Sequence, residues 1–133
     1  MLKKGQGFYR FKFEDFGSDL KVTKHFFSVV CVKETEFGSI WYRFKCEENP
    51  EVKYKDGLEC SFDESMFGTV KPAGSAIYVI LKDDDQEQAV RLVKEHLENR
   101  IAKIMKNLES AQSELASVEA YEACNSGLSI TLR

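Results

Sequence analysis

The chain has 133 residues, 43% of them hydrophobic and 31% charged, and a formal net charge of −3. That size and balance fit one globular domain with a core of its own, and the negative charge gives no general attraction to nucleic acid or to an anionic membrane. No stretch approaches the roughly 18 apolar residues of a membrane span, and MLKKGQGFYRFKF lacks the apolar run of a secretory signal, so a cytoplasmic protein is expected, with no membrane and no direct nucleic acid as partner.

In GFYRFKFE, Tyr9, Phe11 and Phe13 point one way while Arg10, Lys12 and Glu14 point the other, the period-two pattern of a half-buried strand. Gly17, Ser18 and Asp19 make a turn. VTKHFFSVVCVKETE then supplies a second, long strand with Phe27, Val29 and Cys31 on one face and Phe26, Val30 and Val32 on the other, as in a central strand or one bent by a bulge. In IWYRFKC the alternation returns, with Ile40, Tyr42, Phe44 and Cys46 opposed to Trp41, Arg43 and Lys45. EVKY and LECSF around Asp56 and Gly57 predict a hairpin, MFGTVKPAGS a loop, and AIYVILK an interior strand. Residues 1–82 are therefore expected to form an antiparallel sheet of about six strands.

DDDQEQAV marks a helix start, with Asp84 and Glu87, or Asp85 and Gln88, placed to satisfy the free amides of the first turn. From there to about residue 122 there is no Gly or Pro, which predicts one long helix over 85–122. Leu97, Ile101, Ile104, Leu108, Ala111, Leu115 and Val118 step along it by threes and fours as a single apolar seam, extended backwards through Val90. Charge is sorted along the same helix. Arg91, Lys94, Arg100, Lys103 and Lys106 lie in the first half among Glu95 and Glu98, whereas Glu109, Glu114, Glu119 and Glu122 occupy the second half without a basic residue. An antiparallel copy would match both seam and charge, so a homo-oligomer, a dimer or a multiple of it, is expected; a break near residues 107–110 that folds the second half back is the alternative. After Asn125, Ser126 and Gly127, LSITLR predicts a short last strand over 127–133, which a long helix can deliver to the sheet of a partner. The fold class is α+β, in a single domain over 1–133.

Chemistry-bearing motifs are sparse. The chain has no G-x-S-x-G, no H-E-x-x-H, no Walker-type loop and no G-x-G-x-x-G after a strand. Cys31, Cys46 and Cys60 fall among apolar neighbours and read as small core residues, with Cys124 apart on the helix, and neither zinc nor a disulfide is expected. His25 reads as a surface or edge-strand residue and His96 as part of a solvated helix face. Asp83, Asp84 and Asp85 are accounted for by helix initiation, so no metal and no cofactor is expected. The basic and aromatic mix of Lys24, Trp41, Arg43 and Lys45 suits a small anionic ligand, with Trp41 or Tyr42 as a stacking surface and Arg133 recruited if the site spans two subunits.

An aromatic-rich antiparallel sheet with ETEFGSIW over residues 34–41, followed by QEQAVRLVKEHLENRIAKIMKNLESA over 86–111, resembles the layout of small accessory proteins encoded by phages and other mobile elements. These include counter-defence factors such as the Thoeris anti-defence sponges, oligomers that sequester nucleotide-derived immune signals without cleaving them. The resemblance implies a non-enzymatic, homo-oligomeric binding protein in the host cytosol, with a nucleotide-derived signal as the ligand it sequesters. No ligand-contacting residue is carried over from it. The alternative is a protein-binding inhibitor or adaptor that docks through the acidic end of the helix.

Overall fold

A computed structural model describes residues 1–125. Five strands, β1 (Gly7–Glu14), β2 (Lys21–Glu34), β3 (Ile40–Cys46), β4 (Val70–Ala73) and β5 (Ala76–Leu81), precede one helix, α1 (Gln86–Leu132), described as far as residue 125. Every pairing is antiparallel and the strand order is β3-β2-β1-β5-β4. The class is α+β, as its alternating strands and capped helix predict. The last strand expected over 127–133 lies outside the described residues. Among the described residues no helix is long and apolar enough to cross a membrane.

β2 is internal, flanked by β1 and β3, and its register slips between Val29 and Cys31, the bulge its two-sided apolar pattern allows. Two other expectations fail in the middle of the chain. EVKY and LECSF do not pair as a hairpin: Lys55, Asp56 and Gly57 all take positive φ in a tight 3-10 turn, and Cys60 alone bridges to β3, exchanging both backbone hydrogen bonds with Tyr42. Burial of aromatic rings explains the outcome. Tyr54 and Phe62 each approach Phe8 to 4.9 Å between centroids, and both also meet Phe44, which a flat two-stranded ribbon could not arrange while staying paired. Conversely, the expected loop contains β4, joined to β5 through Gly74 (φ 62°) and Ser75. Pro72 argued against a strand there, but β4 lies at the edge of the sheet, where a missing N–H costs nothing. The sheet therefore has five strands rather than six.

Buried residues lie on both faces of the sheet. On one, Phe8, Phe27, Val29, Tyr42, Phe44, Cys46 and Ile80 form a cluster closed by Tyr54, with Phe62 and Phe67 packed against it. On the other, Phe11, Phe13, Ile77, Val79 and Leu81 are buried, as are Ala89 and Val93 in the first turns of α1. Trp41 of β3 and Lys71 of β4 line one groove with residues of the 55–66 segment, so the sheet curls until its two edges face each other across that segment. Asp85 caps α1, accepting from the backbone N–H of Gln88 at 3.0 Å, while Asp84 accepts from Lys24 instead.

The chain divides into two compact units, Met1–Lys94 and Glu95–Arg133. α1 runs through residues 107–110 without a break.

Candidate functional site

The residues proposed from sequence for an anionic ligand separate in space. Trp41, Arg43 and Lys45 alternate onto the outer side of β3, and Trp41 is 39% exposed. Tyr42 points the other way into the aromatic cluster, 2% exposed, and its hydroxyl oxygen accepts from the backbone N–H of Leu2 at 3.1 Å. It is a core residue and not a stacking surface. Lys24 ion-pairs with Asp84 at 2.7 Å, which raises its pKa through that hydrogen bond. It also lies nine residues along β2 from Lys33, the register partner of Trp41, a span of roughly 30 Å. No small ligand bridges Lys24 and Trp41. Lys45 stands 3.8 Å from Glu47, and Arg133 is outside the described residues.

Trp41 instead shares a groove of about 570 Å³ with Lys55, Asp56, Leu58, Glu59, Cys60, Met66 and Lys71. Lys33 and Thr35 line a smaller hollow on its far flank. Lys55, from the positive-φ turn at 55–57, and Lys71, from the β4–β5 hairpin, line this groove together with Trp41, the Lys55 ammonium lying 6.0 Å from the centroid of the Tyr54 ring. A half-exposed indole between lysines offers a ring to stack on and cations to meet phosphate or carboxylate. Asp56 and Glu59 line the same groove, and Glu59 also stands 3.9 Å from Lys33. Lys55 and Lys71 are absent from the sequence-based set because only the curl of the sheet places them near Trp41.

A second polar feature was also hidden in the pattern. Arg10 alternates with core residues on β1, yet its guanidinium lies between the rings of Phe27 and Tyr78, 4.7 and 4.8 Å from their centroids, and burial lowers its pKa. His25 sits directly opposite Arg10 on β2, half-buried with its Nδ1 enclosed, and not on a surface or an edge. His96 is half-buried as well, in place of the solvated position expected. Among the cysteines, Cys46 is buried, Cys31 and Cys60 are half-buried, and Cys124 is exposed.

The helical seam is a long run of exposed apolar side chains. Ile101, Ile104, Leu108, Leu115 and Val118 are between 55% and 61% exposed, Ala111 is exposed, and Leu97 is half-buried. Val90, from which the seam was expected to start, is exposed like the seam and lies within roughly 20° of its line around the helix. The residues buried at the helix start are instead Ala89 and Val93, roughly 60° around the helix from the line through Ile104 and Leu108. The helix thus turns one stripe inward at its start and presents a different one beyond it. No protein-family model matches the chain, and no curated protein and no solved structure is similar to it.

Proposed function

We propose that this chain is a self-associating, non-enzymatic binding protein that pairs through α1 and holds a small anionic ligand with a flat ring in the Trp41 groove. The observation that carries the reading is the exposed seam. Soluble monomers rarely leave a contiguous apolar patch of this kind uncovered, and a long helix draws most of its stability from packing an apolar face. A second copy supplies such a face. In the groove, Trp41 stacks on the ring while Lys55 and Lys71 meet the anion, a chemistry that suits a nucleotide-derived signal. The likeness in layout to phage anti-defence sponges supports sequestration in a host cytosol as the setting.

The test has two arms. Light scattering on the purified chain at micromolar concentration is expected to return twice the 15.2 kDa chain mass, and Leu108→Asp to return the single mass. Trp41 is the sole tryptophan, so its fluorescence reports on the groove directly. A panel of linear and cyclic nucleotides is expected to contain one that quenches it and raises thermal stability, and that ligand is recovered unaltered after denaturation. Altered ligand would make the protein an enzyme. A complex with a basic protein, lost on reversing Glu109, Glu119 and Glu122, would favour the inhibitor reading.

A further inference from the structure

We infer that two copies of α1 pair antiparallel in one particular register, in which Ile104 meets Leu108 of the second copy, Ile101 meets Ala111, Leu97 meets Leu115, and Arg100 lies beside Glu114. This rests on the self-association proposed above and specifies its geometry. With Ile101, Leu108 and Leu115 as the first apolar position of each heptad and Leu97, Ile104, Ala111 and Val118 as the second, antiparallel helices set each first-position residue against a second-position residue of the partner. Within residues 97–118, two registers achieve this with equally many apolar layers. The other sets Leu108 against Ala111, Ile104 against Leu115, and Ile101 against Val118.

The flanking charges decide between them. Reversing one helix brings Arg100, Asn107, Glu114 and Tyr121, which all border one side of the seam, beside their own kind. Glu98, Met105, Gln112 and Glu119 border the other side. In the favoured register Arg100 and Glu114 converge, and two-fold symmetry repeats the pair at the other end. In the alternative, Glu114 meets only Asn107, and Glu119 comes beside Glu98, a like-charge contact that is also repeated. A parallel pair fares no better, because it sets Glu114 beside Glu119 and stacks acidic half on acidic half. Glu114 therefore has a different neighbour in each arrangement: Arg100, Asn107 or Glu119. Arg100 and Glu114 are both exposed, so changing them leaves the fold of the chain intact.

The experiment uses the full chain and measures the dimer dissociation constant by sedimentation over a dilution series at low salt, for wild type, Arg100→Glu, Glu114→Arg and the double variant. Each single reversal turns two attractions into two repulsions and is expected to weaken the dimer about tenfold, and the double to return within about threefold of wild type. Raising the salt to about 1 M is expected to erase most of the difference. A dimer in which the double variant is no better than the singles overturns the register. Tighter association of Glu114→Arg alone also overturns it, in favour of parallel helices. A wild-type chain that stays monomeric at micromolar concentration removes the underlying self-association instead.

Discussion

A Cβ built on Gly7 would overlap the backbone oxygen of Phe27, and Gly7 opens the β1–β2 ladder opposite Ser28 with Gln6 and Gly5 still hydrogen-bonded to Val29 beyond it, so the backbone cannot shift there without straining those bonds. Gly7→Ala is expected to cost about 3 kcal/mol, at the upper end of typical overpacking, and urea unfolding followed by Trp41 fluorescence measures it. Burial pushes the Tyr54 phenol up to about 12. The folded state then keeps its proton where the unfolded chain, with an ordinary phenol near 10, has lost it, so stability is full below about pH 10 and falls as pH rises towards 12. Tyr54→Phe keeps the ring contacts and is expected to flatten that alkaline limb in thermal melts between pH 9 and 12 (about the range of the shift). Glu48 behaves oppositely. Desolvation is the largest single influence and pushes its carboxyl up, but hydrogen bonds from the backbone N–H of Phe26 at 3.1 and 2.9 Å, from its own backbone N–H and from the Cys46 thiol at 3.3 Å together outweigh it and leave the pKa lowered. Its contribution is present above the ordinary carboxylate range and is lost as pH falls below it, so Glu48→Gln is expected to soften the acid limb without moving the alkaline one.

At the scale of elements, what could be read ahead was whatever local periodicity dictates. The alternation in GFYRFKFE and IWYRFKC gave β1 and β3, and Asp85 at the head of DDDQEQAV gave the helix cap, because each depends on residues within a few positions of one another. The 51–62 segment is different, since long-range ring packing overrides a local hairpin signal there. The two descriptions make opposite claims about side chains: in a strand Leu58, Cys60 and Phe62 share one face, whereas here Leu58 is 67% exposed and Phe62 packs on the core. Phe62→Ala is accordingly expected to cost about 3 kcal/mol, the low end for a phenylalanine because it is only partly enclosed, while Leu58→Ala costs under about 0.5 kcal/mol. Equal costs in chemical denaturation would restore the hairpin. The Trp41 groove was half legible for the same reason. Trp41 stood out as a large ring among cations on an outward face, but Lys55 and Lys71 join it only through the curl.

For the whole molecule, the division into Met1–Lys94 and Glu95–Arg133 separates two kinds of stability. The first unit holds aromatic clusters and a paired sheet, with Phe8, Phe11, Phe27 and Val79 fully buried in a core of its own. The second, from residue 98 to 125, is exposed throughout, so its helix has no apolar cover from the chain itself among the described residues. A helix in that position is marginal in water unless something covers its seam. If a second copy provides the cover, mass action ties helix content to protein concentration while leaving the sheet indifferent to it. Dilution through the dissociation constant is then expected to lower the helical circular dichroism signal and its melting temperature, with the midpoint read from Trp41 fluorescence unchanged, since Trp41 belongs to the first unit. Leu108→Asp is expected to reproduce the dilute behaviour at any concentration, because it removes the central seam contact from both helices at once, about 1.5–3 kcal/mol each before the burial of a charge is counted. Helix content that stays constant over a thousandfold dilution, in a chain whose mass is that of the monomer, would mean that the exposed seam needs no partner and that α1 holds its shape by local propensity alone.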